Sequence, residues 1–305
     1  MIVVFGSINL DLIFGLPQLP SRGQTLLGES LRTSPGGKGA NQAVAAARDG
    51  ATVCMAGAVG ADALAEDALT GLRAAGVELS RVARVRGSTG CAAIAVDARG
   101  DNFIIVAAGA NLQARATQIE DAVLHAATTV LLQMEVDPAQ NASLVRRAKA
   151  RGARVILNLA PAAEFDPMAL RALDLLVVNE DEGAWLAQHL GCAADAASLH
   201  AALGIGVLRT LSVKGAEAAV DGRFLSVPAH QVEAIDSTAA GDCFTGVLAA
   251  ALDRGADLET AMRRASVAAA LCCTRTGSQV SMPIATETEA ALGAAAMPVR
   301  AVQST

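Results

Sequence analysis

The sequence predicts an α/β protein, a mostly parallel sheet with helices on both faces and a small β lid at one end. Three observations predict it. Short apolar runs alternate with Ala/Leu-rich amphipathic segments along the chain, which is the rhythm of βαβ units. The runs are continuous rather than alternating, as parallel strands covered on both faces must be. Two segments, 11–34 and 88–107, break the rhythm and do not read as helices. The 305 residues are 52% hydrophobic and 18% charged, which supplies a large core and excludes global disorder. No proline-rich linker, repeat or charge block divides the chain, so a single domain over 1–305 is expected.

In chain order, buried strands are expected at 2–5, 53–56, 130–133, 155–157, 175–178 and 207–211. Helices are expected at 38–49, 62–75, 138–150, 180–190, 195–203, 241–253 and 257–273. Residues 11–34 are rich in Gly, Pro and polar side chains. Residues 88–107, STGCAAIAVDARGDNFIIVA, read as a hairpin turning at 97–102. The tail after about 296 is expected to fray.

Composition removes several function classes. Lys plus Arg number 24 and Asp plus Glu 30, a net charge of −6. That balance gives no electrostatic footprint for nucleic acid. Aromatics are 2%, with no Tyr and one Trp, Trp185, so no base-stacking platform is available. The six cysteines form no CxxC pair and are expected as reduced thiols of a cytoplasmic protein. The four histidines show no HExxH spacing. The opening MIVVFGSINLD is too short for a signal peptide's apolar region and lacks its basic flank. No apolar stretch reaches the roughly 20 residues of a membrane span, so no membrane partner is expected.

Three segments carry chemistry. In EAIDSTAAGDCFTGVL, residues 233–248, small Ala239, Ala240 and Gly241 precede Asp242 and a long Ala/Leu helix. A helix N-terminus with free N–H groups is an anion site, and small residues let a phosphate approach the backbone. Asp242 is then either a first-turn acid complementing the helix dipole or a base accepting a hydroxyl proton during phosphoryl transfer. In PGGKGANQ, residues 35–42, glycines expose backbone while Lys38 and Asn41 offer a cation and an amide. This suits a polyol or is a glycine-rich turn with a solvated lysine. It is no P-loop, because GxxxxGK[ST] is absent. In GSINLD, Asn9 and Asp11 lie two apart and share one side of an extended chain. Asp11 can hold two sugar hydroxyls or close an Asx turn. Gly6 is not followed by the glycines of a dinucleotide fingerprint, which disfavours a Rossmann oxidoreductase. Glu135 ends an apolar strand, and Glu182 lies on an early helical turn after another. Each is a ligand at the carboxyl edge of the sheet or an ordinary solvated acid.

GGKGAN together with D-x-T-A-A-G-D-x-F resembles the PfkB sugar-kinase family, its ribose-phosphorylating branch above all. GSINLD, STGCAAIAV, LLQME, NLAPA, VVNEDE, TLSVKG and TRTGSQVSMP extend the likeness in order over roughly 1–285. The resemblance implies a ribokinase-like three-layer sandwich with a β lid that often pairs in a homodimer. It implies that Asp242 is the catalytic base and that Ala239, Ala240 and Gly241 form a backbone anion hole. Asn9, Asp11, Gly37, Lys38, Asn41 and Glu135 match sugar contacts. Asn179, Thr210, Ser212, Gly215 and Gly241 match the nucleotide side. Glu182 matches a position that organises Mg²⁺ through water. Asp236, Thr238, Cys272, Arg275, Gly277 and Ser281 match a monovalent-cation site for K⁺, largely through carbonyl oxygens.

The implied reaction is ATP-dependent phosphorylation of D-ribose at O5. Within the family, fructose, 2-keto-3-deoxygluconate or adenosine are the other acceptors. A sugar-binding regulator without turnover is the alternative of another class, and it would not need Asp242. Ser212 stands where the family usually has Gly, which leaves the path of the nucleotide loop open.

Overall fold

The computed structural model describes residues 1–97, 99 and 101–295. The tail expected to fray lies outside the described residues, as do Ala98 and Gly100 of the expected turn. In chain order the elements are β1 (Ile2–Phe5), β2 (Asn9–Gly15), β3 (Ser30–Gly36), α1 (Lys38–Arg48), β4 (Val53–Gly60), α2 (Leu64–Ala68), α3 (Thr70–Ala74), β5 (Glu78–Val85), β6 (Gly90–Val96) and β7 (Asn102–Ala107). There follow β8 (Thr129–Leu132), α4 (Pro138–Ala150), β9 (Arg154–Asn158), α5 (Pro167–Leu170), β10 (Leu175–Val178), α6 (Glu180–Leu190), α7 (Ala196–Leu203) and β11 (Gly206–Thr210). The chain closes with β12 (Ala216–Val220), β13 (Arg223–Val227), α8 (Ala240–Asp253), α9 (Leu258–Cys273) and α10 (Ala285–Ala295).

Nine strands form the main sheet in the order β13-β12-β11-β10-β9-β8-β1-β4-β5. From β11 to β5 every pairing is parallel, and only the β11–β12 and β12–β13 pairings are antiparallel, so β12 alone runs against the rest. The expected continuous runs are the inner strands. The expectation omitted β5, β12 and β13: β5 and β13 are edge strands with charged or polar residues between the apolar ones, and β12, AEAAV, sets Glu217 among alanines. The single helix expected at 62–75 is two short ones. Leu69 stays right-handed but turns to ψ −7° between them, and Gly71 weakens the second.

Alternation along the inner strands separates two cores. Ile2 and Val4 pack with α1, α8 and α9, whereas Val3 and Phe5 pack with α4, α6 and α7. Full burial of a side chain such as Phe5 or Leu131 contributes about 1.5–3 kcal/mol. The outcome is helices, sheet, helices, the doubly wound arrangement that the rhythm of the sequence implies.

The segments 11–34 and 88–107 supply most of a second sheet in the order β3-β2-β6-β7. β2 pairs antiparallel with β3 and parallel with β6, and β6 and β7 form the expected hairpin.

Helix starts divide into two kinds. Asp137, Asp195 and Asp257 cap α4, α7 and α9, each accepting a first-turn N–H. α1 and α8 begin at Gly37 and Ala239, residues with no side chain able to cap their own helix. These two helices meet closely: a Cβ on Gly246 would lie 2.4 Å from the Gln42 carbonyl oxygen.

Candidate active site

The chain leaves β1 for β4 and β5 on one side, then returns to β8 on the other. The carboxyl ends of β1 and β8 therefore form a topological switch point, where open α/β sheets place ligands. Side chains bridge that cleft. Ser7 Oγ donates to Glu135 Oε2 at 2.5 Å, and Lys38 N–H donates to the same oxygen at 3.0 Å. Gly39 N–H reaches Ser7 Oγ at 3.2 Å, and Ala40 N–H reaches the Ser7 carbonyl at 2.9 Å. The start of α1 is thus capped by residues from other strands. Gly37 has φ +88° there, and a Cβ would lie 2.9 Å from Asn9 N, so only glycine fits.

α8 is left open. Ala239 holds the left-handed φ of 59° at its N-cap, and Ala240 turns its N–H onto Ser237 O at 3.2 Å. The first-turn N–H groups of Gly241 and Asp242 have no acceptor within the helix. A Cβ on Gly241 would meet nothing within 4 Å. The expected anion hole accordingly has Gly241 and Asp242 as its open donors, and the Ala240 N–H is already engaged.

Two cavities adjoin this point, and a third lies toward the second sheet. One of about 170 Å³ is lined by Lys38, Glu182 and the stretch Ala239 to Asp242. One of about 550 Å³ shares Asn179, Thr210, Ala240 and Gly241 with it and extends between Val213, Val232, Phe244 and Ala269. A third, of about 330 Å³, is lined by Asn9, Asn111, Met134, Glu135 and Val106. The smallest of the three is the polar one; it shares a wall with the long, largely apolar slot, while the third, mostly apolar too, lies against the second sheet.

Asp242 is 8% exposed and both its oxygens are occupied. Asn41 Nδ2 donates to Oδ2 at 2.9 Å, and Gln42 Nε2 donates to Oδ1 at 2.9 Å. The electrostatics here are dominated by acids. Asp242 raises the pKa of Lys38 against the lowering effect of burial, with help from Glu135 and Glu182. Burial, then Glu135 and Asp242, push Asp11 up to about 6. Burial likewise raises Glu182, although the Asn179 N–H and Lys38 pull the other way. Asp242, Glu135 and Glu182 thus all act on the Lys38 ammonium.

The expected sugar-side residues Asn9, Asp11, Gly37, Lys38, Asn41 and Glu135 gather around this cleft. Asn9 Oδ1 accepts from Asn111 Nδ2 at 2.7 Å. The amide nitrogen of Asn41 is committed to Asp242. The expected nucleotide residues Asn179, Thr210, Ser212, Gly215 and Gly241 all line the 550 Å³ cavity. Ser212 adopts φ +51°, the conformation a glycine would take without strain. Asn179 and Glu182 form a reciprocal capping box on α6, with bonds of 2.7 and 2.9 Å. Glu182 therefore both caps a helix and lines the central cavity.

The expected cation residues also converge. Asp236 accepts the N–H groups of Thr238 and Gly277, both at 2.9 Å, and Cys272 Sγ lies 3.0 Å from Ser281 Oγ. The Cys272 thiol faces the Thr238 carbonyl at 3.9 Å. The Arg275 guanidinium pairs with Glu287 at 2.6 Å, so its expected part in the set falls to its carbonyl.

Sequence reasoning missed Gln42, Gln133, Asn158 and Gln279. Their signal was weak: a lone amide in an Ala-rich helix, one ending a strand, one in NLAPA and one in TGSQVSMP.

The model of the family described as pfkB family carbohydrate kinase matches residues 1–285. A ribokinase of Bacillus subtilis is 35% identical over 290 residues, covering 94% of this chain and 98% of its own. The solved ribokinase of Thermotoga maritima superposes with a TM-score of 0.88 at 31% identity, over 96% of this chain and 99% of its own. The Arabidopsis thaliana ribokinase complexed with ribose and ATP gives 0.86 at 30%, over 95% and 98%. Fold and site define a phosphotransferase that works on an alcohol. The chain belongs to the pfkB family of carbohydrate kinases, and its fold is that of the ribokinases. Among the described residues, no helix is long and apolar enough to cross a membrane.

Proposed function

We propose that the protein transfers the γ-phosphoryl group of ATP to O5 of D-ribose, giving D-ribose 5-phosphate and ADP. One observation carries the reading. A buried, doubly hydrogen-bonded carboxylate stands at the uncapped end of α8, lining a small polar cavity that adjoins a nucleotide-sized one. The Arabidopsis relative, which carries ribose and ATP, supports the choice of substrates.

In this reading Asp242 accepts the O5 proton as O5 attacks the γ-phosphorus. The bond to the β–γ bridging oxygen breaks, and ADP leaves with that electron pair. The N–H groups of Gly241 and Asp242 hold the charge that develops on the migrating group. Asn9, Asp11, Lys38 and Glu135 bind sugar hydroxyls, offering both donors and acceptors. The second sheet acts as a lid over the sugar. Its β7 residues Phe103, Ile104, Ile105 and Val106 are 52–59% exposed and form the contact of a cytoplasmic homodimer.

Among the described residues no group of three His, Cys, Asp or Glu side chains converges on a metal position. Mg²⁺ usually keeps several waters and takes few protein ligands, so a lone cavity-facing carboxylate suits it. Glu182 would hold it through water, and a cation there would offset the burial that raises its pKa. When bound, Mg²⁺ neutralises the transferring phosphates. Asp236, the Thr238 carbonyl and Ser281 give oxygen donors of the kind that replace water around K⁺.

The purified protein, with ATP, MgCl₂ and KCl, is expected to turn over D-ribose faster than 2-deoxy-D-ribose, fructose, adenosine or fructose 6-phosphate. A coupled ADP-release assay measures this. A panel ranking any of them above ribose removes the substrate and leaves the kinase.

A further inference from the structure

We propose that Gln42 is a positioning residue that aims the Asp242 carboxylate, braced by a chain of buried amides. This rests on the reading of Asp242 as the base. Gln42 is fully buried on α1, in the Ala-rich stretch GANQAVAAAR. Its Nε2 donates to two oxygens, Asp242 Oδ1 at 2.9 Å and Asn158 Oδ1 at 3.0 Å. Its Oε1 accepts from Gln133 Nε2 at 2.7 Å. These three bonds fix the amide's orientation, because only the nitrogen can face two acceptors. Asn158 is fixed in turn, with Nδ2 donating to the Val177 carbonyl at 3.2 Å.

A second relay reaches the other oxygen. Gln279 Nε2 donates to Asn41 Oδ1 at 3.1 Å, and Asn41 Nδ2 donates to Asp242 Oδ2. Two amide chains thus converge on the two oxygens of one carboxylate. Packing alone would be served more cheaply by aliphatic side chains, since buried amides are costly unless fully bonded. The outer members are not fully bonded. Gln133 Oε1 and Gln279 Oε1 are buried with no partner among the described residues. Gly6 and Gly71 make room for them, for a Cβ on either would collide with these oxygens. Incomplete satisfaction at the periphery and full satisfaction at Asp242 mark the carboxylate as the point being served. A base must present one lone pair along the hydroxyl's path, and two fixed donors stop its carboxylate rotating.

The test is a double-mutant cycle, with active sites counted by ADP binding. Gln42→Leu is expected to lower kcat about 10- to 100-fold, as for loss of a hydrogen bond to a charged group. KM for ribose and for ATP should stay within about threefold, a split that a merely structural role would not produce. In an Asp242→Asn background the same change should cost less than about twofold, since no base is left to aim. Equal losses in both backgrounds, or a raised KM with unchanged kcat, overturn the proposal. Should Gln42→Leu fail to fold, Gln279→Leu enters the same cycle. It is expected to lower kcat about three- to tenfold, and an unchanged kcat overturns the proposal. An inactive Asp242→Asn beside an unimpaired Gln42→Leu discards the positioning role alone. A fully active Asp242→Asn discards the base as well.

Discussion

Burial and two neighbouring carboxylates hold Asp11 near pKa 6, above the 3.8 of a free aspartate. Between those values the folded protein binds more protons than the unfolded chain, so ionising Asp11 weakens the fold as pH rises through about 6. Asp11→Asn should therefore raise Tm by up to about 3 °C at pH 8. The gain should vanish near pH 4, where the aspartate is neutral, as differential scanning fluorimetry across pH would record. In the wild type, KM for ribose should climb below pH 6, approaching tenfold per pH unit, if the ionised group holds the sugar. At Asp242, replacement by Asn is expected to lower kcat by roughly 10²–10⁴. ADP affinity, read by calorimetry, should move little. The sequence left Glu135 and Glu182 divided between ligand and ordinary acid. Each proves to be a cap and a cavity wall at once, because one carboxylate oxygen serves an N–H while the side chain still faces the cleft. Gln42 was not legible, since nothing in a linear Ala-rich stretch says that residues 133, 158 and 242 will meet it.

Among the elements, α1 and α8 carry the site between them, and their separation sets the distance from Gln42 to Asp242. Gly246→Ala would set a methyl 2.4 Å from the Gln42 carbonyl and 2.7 Å from Ala45 Cβ. Forcing the helices apart should cost about 1–3 kcal/mol. Urea denaturation is expected to show that loss, with kcat falling in the same variant. Strands were readable where both faces are buried, since hydrophobicity there is uninterrupted. They were unreadable at β5, where Arg81 and Arg84 interrupt the apolar residues at the rim. α10 escaped notice because ATETEAALGAA shows little amphipathic contrast.

For the whole molecule, the two-layered burial and the parallel order followed from the rhythm of apolar runs. The second sheet was foreseen as a β lid, its 88–107 hairpin read outright and its β2–β3 half only as a Gly- and Pro-rich break in that rhythm. Its β7 edge leaves four successive apolar side chains more than half exposed, a liability unless covered. Ile105→Lys is expected to shift the protein from dimer to monomer in sedimentation velocity. An unchanged sedimentation coefficient would place the contact elsewhere. The rooting of this sheet has a mechanical corollary. Asn9 lies opposite Gly36 on one side and Gly90 on the other, so three strands leave the body of the protein along one row. Six residues farther on, about 20 Å away, Gly15 pairs with Ser30 and Val96. A swing of 10° about that row sweeps the far rim through about 3.5 Å and leaves Asn9 almost stationary. On the reading proposed above, a flap hinged at Asn9 would open at its far rim without dismantling the groups that hold the sugar.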